Sequence, residues 1–142
     1  MDSGGSARMV DVGAKTEQQR TAVAGGRIVC LPETIAALKR QALPKGDALT
    51  VARIAAIQAV KSTAQLIPLC HPLPLNHIGV EFEVGDTDIT IRCEVKTRAA
   101  TGVEMEALTG VSAAALTLYD MMKSADKTMR IEGISVLSKV KQ

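Results

Sequence analysis

Alternation of apolar and polar side chains marks the strands of this chain. Residues 77–84, HIGVEFEV, place apolar residues at every second position, and residues 89–97, ITIRCEVKT, repeat that alternation after the turn-forming GDTD. A period of two is typical of strands with one buried face, so these segments predict an antiparallel hairpin. Runs rich in small and β-branched residues, TAVAGGRIVCL at 21–31 and the segment from Ile131 to Leu137, predict a first and a last strand.

Periodicity of three to four residues marks three helical segments. Residues 32–43 begin at a proline, with Glu33 in the first turn and basic residues near the end, a charge order that favours a helix. Asp47 precedes a long periodic run as an N-cap, and the prolines of PLCHPLP end that run. A second long helix is predicted to begin near Val103. Five of its apolar residues are expected to face the core: Leu108, Val111, Ala115, Leu118 and Met122.

The predicted order β-α-α-β-β-α-β is a ferredoxin-like pattern with one extra helix. We therefore expect an α+β sandwich in which helices cover one face of an antiparallel sheet. A chain of 142 residues has room for one domain with a substantial core. Residues 1–20 are polar and contain glycine, and we expect them to form an N-terminal arm, partly disordered or packed on another surface. Residues 21–142 are expected to form the single ferredoxin-like domain.

Composition removes several classes of function. The net charge is +2 and the only aromatic side chains are Phe82 and Tyr119, too few cations and stacking faces for a nucleic-acid partner. No apolar run is long enough to span a membrane, and the first residues lack the basic and apolar regions of a signal peptide. Three widely spaced cysteines favour reduced thiols, so we expect a cytoplasmic protein.

Both histidines lie in one stretch, LIPLCHPLPLNHIGV at 66–80, together with Cys70. Zinc sites commonly use short-spaced ligand pairs, and adjacent residues such as Cys70 and His71 point to opposite sides of an extended segment, so we predict no metal site here. His71 is either a turn residue that bonds backbone carbonyls or a catalytic or phosphate-binding imidazole held by its flanking prolines. His77, at the start of a strand, is predicted to be structural.

Charged pairs near the ends of the second long helix are candidates for proton transfer. Glu104 and Glu106 are either paired carboxylates or residues that complement the helix dipole at its N-terminus. Asp120 and Lys123, spaced i and i+3, are either an ordinary surface salt bridge or a proton-transfer pair. Lys45 lies outside any phosphate-binding loop motif, but it would join other cations around a triphosphate if the fold gathers them.

Several of these segments resemble the molybdenum cofactor biosynthesis protein C family. The similarity covers residues 9–139 and is carried by MVDV, by KGDALTVARIAAIQAVKSTAQLIPLCHPL, by TGVEMEALTGVSAAALTLYDMMK and by the last strand. It implies a lyase, cyclic pyranopterin monophosphate synthase, that converts 3′,8-cyclo-7,8-dihydroguanosine triphosphate to cyclic pyranopterin monophosphate with release of pyrophosphate. The substrate would come from a radical S-adenosylmethionine enzyme upstream in the same pathway.

The resemblance, together with the carboxylate pair, gives the candidate site residues. Catalytic roles fall on Asp120, Lys123, His71, Glu104 and Glu106, and substrate contacts on Leu69, Cys70, His71, Met105, Glu106, Lys45, Arg20 and Lys139. Family members typically carry a glycine-rich basic tail after the position of Lys139, whereas this sequence ends at Gln142.

The resemblance also implies an assembly and a mode of catalysis. The family is hexameric, a trimer of dimers, so we expect a homo-oligomer with active sites at subunit interfaces. Ring opening, condensation and phosphate cyclisation can be carried by proton transfers and cationic clamps, so we expect neither a metal nor an organic cofactor.

Two other interpretations remain open at this point. A ferredoxin-like regulatory module would bind a small molecule without chemistry, because a fold does not determine a function. A metal-dependent hydrolase would be built on Cys70, His71 and His77. Release of pyrophosphate from the cyclic triphosphate would distinguish the synthase from the regulatory module, and elemental analysis would test for the hydrolase.

Overall fold

The computed structural model describes residues 5–142, which form four strands and four helices. Their order agrees with the prediction apart from a short additional helix after the first long one. The strands are β1 (Gln18–Val29), β2 (His77–Val84), β3 (Asp88–Ala99) and β4 (Arg130–Lys141). The helices are α1 (Pro32–Lys39), α2 (Ala48–Lys61), α3 (Thr63–Leu66) and α4 (Glu104–Met122).

All four strands join one antiparallel sheet in the order β2-β3-β1-β4. The first strand of the chain therefore lies inside the sheet, between β3 and β4. β2 and β3 form the predicted hairpin, in which Ile78 lies opposite Val95 and Phe82 lies opposite Ile91. This arrangement confirms the predicted α+β, ferredoxin-like fold.

The core lies between one face of the sheet and the helices α2 and α4. Side chains of a strand alternate between its two faces, so every second residue of β3 reaches the core. The predicted inward residues of α4 are fully buried except for Leu108, which is half-buried against the same cluster. Within residues 5–142, no helix combines the length and the apolar character that crossing a bilayer requires.

Helix α2 begins where its sequence predicts. The Asp47 carboxylate accepts a hydrogen bond from the Thr50 backbone N–H at 3.2 Å and another from the Thr50 hydroxyl at 2.7 Å. These bonds lower the pKa of Asp47. An acceptor at this position satisfies an N–H group that the helix itself cannot pair, which confirms Asp47 as the N-cap.

Two helix ends lie earlier than predicted. α1 ends at Lys39 rather than at residue 43, because Gln41 adopts a φ of 55°, in the left-handed region that a right-handed helix excludes. α2 ends at Lys61, and a new short turn of helix, α3, begins at Thr63. The Thr63 hydroxyl donates to the backbone carbonyls of the preceding turn, a local bond that competes with a regular helix.

Strand β1 begins at Gln18, three residues before the predicted start, and β4 pairs with it through two register shifts. These shifts lie beside Gly25 and Gly26. A Cβ atom on Gly25 would lie 2.8 Å from Leu137 Cδ1, and one on Gly26 would lie 2.8 Å from Ile134 Cγ1. Side chains of β4 therefore occupy the space over both glycines.

A buried carboxylate joins the end of α4 to the start of α1. Asp126 is 2% exposed and accepts hydrogen bonds from the Leu31 backbone, the Thr34 hydroxyl, and the backbone and hydroxyl of Thr128. Burial raises the pKa of Asp126, but these hydrogen bonds outweigh burial and lower it overall. The sequence analysis assigned Asp126 no role, because its partners come from distant parts of the chain.

Candidate active site

The predicted site residues lie near the two ends of α4, a helix of 19 residues. Near its N-terminus, the first turn of α4 lines two clefts. The connection that follows α3 lines one of them, and the start of β1 and the end of β4 line the other. Near its C-terminus, three charged residues form a cluster: Lys45, Asp120 and Lys123. The helix therefore divides the predicted residues into two groups.

A cleft of about 440 Å³ lies beside the N-terminus of α4. Its walls include Leu69, Cys70 and His71 from the connection between α3 and β2, and Glu104 and Met105 from α4. Residues of the N-terminal arm form a further wall. We call this space the arm cleft. It brings together five of the candidate site residues, four from the resemblance and Glu104 from the carboxylate pair.

His71 is half-buried at the arm cleft. Its imidazole makes no hydrogen bond and no ion pair with any residue from 5 to 142, so it is not the carbonyl-bonded turn histidine of the alternative interpretation. Beside it, burial raises the pKa of the Cys70 thiol, and the Glu106 and Glu104 carboxylates raise it further. Cys70 is therefore a neutral thiol at neutral pH, and the His71 ring nitrogens remain available to a ligand.

The second histidine lies elsewhere. His77 opens β2 and its Nε2 lies 3.6 Å from Glu94 Oε1, a residue of the neighbouring strand β3. It lines neither of the clefts beside α4. Among residues 5–142, no three His, Cys, Asp or Glu side chains are placed to hold a metal ion together.

A second cleft, of about 200 Å³, lies between the start of β1 and the end of β4. Arg20, Lys139 and Lys141 line it, with Gly102 and Glu104 on the side of α4. We call it the strand-end cleft. Gly102 and Glu104 also line the arm cleft, so the two spaces adjoin.

Two cations of the strand-end cleft, Arg20 and Lys139, contact other groups of the protein. The Arg20 guanidinium donates to the backbone carbonyls of Ala99 and Ala100 at 3.4 and 3.1 Å. Lys139 Nζ lies 3.7 Å from Glu104 Oε1. The Arg20 guanidinium and the Lys139 ammonium therefore place positive charge at a cleft that the start of α4 also lines. This arrangement is suited to an anionic ligand.

Glu104 and Glu106 point in different directions, as positions two apart on a helix must. Glu104 faces Lys139, whereas Glu106 is 3% exposed and its Oε1 atom has no hydrogen-bond partner among the described residues. Burial raises the pKa of Glu106, and the neighbouring Glu104 carboxylate raises it further. Burial thus disfavours the charged form of Glu106, and one of its two carboxyl oxygens lacks a hydrogen-bond partner among the described residues.

The cluster at the other end of α4 is a carboxylate between two ammonium groups. Asp120 Oδ1 lies 2.9 Å from Lys123 Nζ, and Asp120 Oδ2 lies 2.9 Å from Lys45 Nζ. Lys123 and Lys45 lower the pKa of Asp120, and Asp120 raises that of Lys123. All three side chains are about half exposed, so the pairs contribute little to stability. Chemically, the cluster holds a protonated amine next to a carboxylate at an accessible surface.

One chain does not gather all the predicted cations. Arg20 and Lys139 lie at the strand-end cleft, and Lys45 and Lys123 lie at the opposite end of α4. Glu106 and Asp120 are 14 residues apart in that helix, which at about 1.5 Å per residue is roughly 21 Å along its axis. The predicted length of the helix already indicated this separation of Glu106 from Asp120, whereas residue spacing does not report which loops and strand ends meet each end of the helix.

Sequence reasoning missed three residues of the N-terminal arm. Val10, Val12 and Lys15 line the arm cleft beside His71 and Met105. The MVDV segment carried part of the family resemblance, and that was the available signal. A place for the arm in this cleft was not predicted, because a polar, glycine-containing segment has no periodicity from which to predict packing.

The fold and its clefts define an enzyme class. The ferredoxin-like domain has two adjoining clefts with basic residues in their walls, and a lysine–carboxylate cluster at an accessible surface. Residues 9–141 match the MoaC family. This chain belongs to the MoaC family.

Curated relatives agree with this assignment. A cyclic pyranopterin monophosphate synthase of Chloroflexus aurantiacus is 53% identical over 141 residues, which cover 98% of this chain and 86% of the relative. A protein of the same name from Corynebacterium efficiens is 55% identical over 135 residues, 95% of this chain and 87% of the relative. A molybdenum cofactor biosynthesis bifunctional protein of Chlorobaculum tepidum is 58% identical over 134 residues, but this chain spans only 43% of its length.

Proposed function

We propose that this chain is a cyclic pyranopterin monophosphate synthase of molybdenum cofactor biosynthesis. It converts 3′,8-cyclo-7,8-dihydroguanosine triphosphate to cyclic pyranopterin monophosphate and pyrophosphate. The observation that carries the proposal is the Lys45–Asp120–Lys123 cluster in a chain whose near full-length relatives bear this enzyme name. A regulatory module would need no lysine held beside a carboxylate at an accessible surface.

The proposal divides the work between proton transfer and phosphate binding. Lys123 and Asp120 exchange protons with the substrate, because a protonated amine beside a carboxylate supplies both an acid and a base. Lys45, Arg20 and Lys139 bind the phosphates, whose charge they complement. Pyrophosphate leaves as the cyclic phosphate forms, and these cations stabilise the charge that develops on it.

The arm cleft receives the ring system in this proposal. His71 has ring nitrogens without a partner among residues 5–142, and Glu104 lines the wall. Glu106, two residues further along α4, has a buried carboxyl oxygen without a hydrogen-bond partner among the described residues. Leu69, Cys70 and Met105 give a mainly apolar contact surface. Carboxyl oxygens such as those of Glu106 can accept hydrogen bonds from the amide and amino N–H groups of a guanine-derived ring.

We further propose that each active site is shared between two subunits. Residues about 21 Å apart on one helix cannot both act at one ring system. Two copies of α4 related by a two-fold axis and running antiparallel would place Glu106 of one subunit beside Asp120 of the partner subunit. The outward surface of α4 carries the small residues Ser112 and Ala113, and Leu116 there is 64% exposed, which supports a close helix contact. Three such dimers would form the hexamer.

The setting of the reaction follows from its chemistry. The three cysteines are free thiols, two of them buried, which agrees with the reducing cytoplasm. The proposed substrate is a cyclised nucleotide, and the family resemblance implies that a radical S-adenosylmethionine enzyme upstream in the pathway supplies it.

A turnover assay tests the proposed function. The purified protein is incubated with 3′,8-cyclo-7,8-dihydroguanosine triphosphate, and pyrophosphate and the pterin product are measured together. Stoichiometric appearance of both supports the synthase. Binding of the substrate without pyrophosphate release would instead support the regulatory module and contradict the proposal.

A further inference from the structure

The buried carboxylate of Asp126 lies directly after the charged cluster at the C-terminal end of α4. Asp126 follows Lys123 by three residues, and its backbone N–H donates to the Met122 carbonyl at 3.2 Å. Its Oδ1 atom accepts hydrogen bonds from the backbone and the hydroxyl of Thr128, at 2.8 and 2.7 Å. The turn that carries Asp126 is therefore a fixed continuation of the helix that carries Asp120.

The other oxygen of Asp126 holds the start of α1. Oδ2 accepts hydrogen bonds from the Leu31 backbone N–H and from the Thr34 hydroxyl, each at 2.9 Å. Leu31 is the N-cap of α1 and supplies no side-chain capping bond, so the negative charge at this helix end comes from Asp126. Within residues 5–142, the side chains of α1 make no other hydrogen bond or ion pair.

Apolar packing alone does not fix α1 in one position. Ile35 and Leu38 are buried in the core, but burial of apolar surface has no directional preference. A hydrogen bond to a carboxylate, by contrast, requires a set distance and angle. Thr34 and Asp126 are 1% and 2% exposed, so water competes little for their bond. The bonds of Asp126 therefore set the position of α1 against the end of α4.

The position of α1 in turn determines the position of Lys45. The loop after α1 is bonded back to the helix, because the Ala42 N–H donates to the Ala37 carbonyl at 2.9 Å. Leu43, one residue later, is buried in the core, and Lys45 follows it by two residues. A shift of α1 would therefore move the Lys45 ammonium group relative to Asp120.

The ion pairs of the cluster do not hold these segments of backbone in place. Asp120, Lys45 and Lys123 are each about half exposed, and exposed ion pairs contribute too little energy to fix two loops. The distance between the two lysines therefore depends on the backbone path between them, and Asp126 closes that path through α1.

We propose that Asp126 is a positioning residue. By joining the start of α1 to the end of α4, it holds Lys45 and Lys123 on the two sides of Asp120. It acts through these lysines and does not contact the substrate. The part that the lysines play in the reaction rests on the proposed function, whereas their placement by Asp126 does not.

The first test measures the placement of Lys45 without turnover. Thr34→Val removes one bond of Asp126 and keeps the shape of the side chain, whereas Asp126→Asn would turn an amide donor toward buried donors. The protein is treated with limiting acetic anhydride, and mass spectrometry gives the acetylation rate of each lysine. An ammonium group paired with a carboxylate reacts slowly, because it must leave its partner and lose a proton. We expect Thr34→Val to raise the rate at Lys45 about threefold and to leave Lys61, an exposed lysine at the end of α2, unchanged.

Ile35→Val is the matched control. It trims a buried side chain next to Thr34 on α1, so it lowers the melting temperature but leaves the bonds of Asp126 in place. Thr34→Ser keeps the hydroxyl and should restore most of the protection of Lys45. Equal rates at Lys45 in Thr34→Val and Ile35→Val would contradict the inference, and so would equal rates in Thr34→Val and Thr34→Ser.

Steady-state kinetics with the cyclic triphosphate then separate this inference from the proposed function. Because Lys45 is proposed to bind phosphate, Thr34→Val should raise KM about fivefold and change kcat less, while Ile35→Val changes neither. Faster acetylation of Lys45 in Thr34→Val, together with no turnover by the unchanged protein, would support positioning by Asp126 and contradict the synthase. Normal turnover by the unchanged protein, with no difference in KM or acetylation between Thr34→Val and Ile35→Val, would support the synthase and contradict positioning by Asp126.

Discussion

Asp120 is the single residue whose surroundings bear most directly on the chemistry. Its two oxygens are each 2.9 Å from a different lysine ammonium, one from Lys45 and one from Lys123. Because Asp120 raises the pKa of Lys123, the amine of that lysine is protonated before the reaction and has a proton to donate. If substrate phosphate draws Lys45 away, Asp120 and Lys123 remain as a pair in which one group can accept a proton and the other can donate one.

Removing either member of this pair should therefore impair catalysis more than folding. We expect Lys123→Ala and Asp120→Ala each to lower kcat by roughly 10²-fold or more, because general acid–base groups contribute factors of this size. Steady-state kinetics and circular dichroism are measured side by side. Lys127→Ala, which changes an exposed lysine outside the cluster, is the control, and near-normal turnover by Lys123→Ala would remove its proposed role.

Glu106 gives a prediction about pH. Its pKa in the folded protein is raised above the ordinary value of 4.5 by burial, so the folded state holds the proton to a higher pH than the unfolded state does. The stability of the folded state therefore falls as pH rises through the unfolded and then the folded pKa. Glu106→Gln should raise the melting temperature at pH 7.5 and leave it almost unchanged below pH 4.5. The same gain at both values would show that ionisation is not the cause.

At the scale of elements, α4 packs closely against both β3 and α2 at its glycine, Gly110. A Cβ atom on Gly110 would lie 2.7 Å from Cys93 Sγ of β3 and 2.7 Å from Val60 Cγ2 of α2. The glycine thus sets the distance at which this helix approaches both the sheet and its neighbouring helix.

Gly110→Ala should accordingly destabilise the protein despite alanine's better helix propensity. Overpacking costs about 1–3 kcal/mol, whereas the gain in propensity is about 1 kcal/mol, so the net change is a loss. Urea denaturation measures the free energy of unfolding. Ser112→Ala, on the partly exposed side of the same helix, is the matched control and should change stability far less. Stabilisation by Gly110→Ala would show that Cys93 and Val60 move aside freely.

Local chemistry explains which element boundaries were predictable. Asp47 caps α2 as expected, because the capping bond joins residues only three apart. The end of α1 was predicted four residues too late, since nothing in the residue types forces Gln41 to a positive φ. The buried carboxylate of Asp126 was also missed, because its partners Leu31 and Thr34 are more than ninety residues away in sequence.

At the scale of the whole molecule, the site shows the same difference between local features, which the sequence predicts, and contacts between distant segments, which it does not. The resemblance supplied residues such as His71, Glu106 and Asp120, but how the connections and strand ends meet α4 is a property of the fold that residue spacing does not report. The separation of Glu106 from Asp120 by roughly 21 Å, by contrast, follows from the predicted helix. It is also the reason for proposing that two subunits build each site.

Mixing two inactive variants tests the shared site. Glu106→Ala and Asp120→Ala proteins are combined under conditions that allow subunits to exchange, and turnover is measured over time. A mixed dimer has one site that carries both substitutions and one that carries neither, so about a quarter of normal activity should return at full exchange of equal amounts. Mass spectrometry verifies the exchange. Continued inactivity in verified mixed dimers would contradict a site built from two subunits.

The position of β1 inside the sheet has a consequence for the synthesis of this protein. β1 is made first, yet its partners are β3, which ends at Ala99, and β4, which ends at Lys141. Its backbone N–H and C=O groups cannot all pair until the residues of β4, about a hundred positions later, have left the ribosome. Such distant pairing is slow, and unpaired strand edges promote aggregation. The nascent protein therefore depends on the twelve residues of β4 to close the sheet.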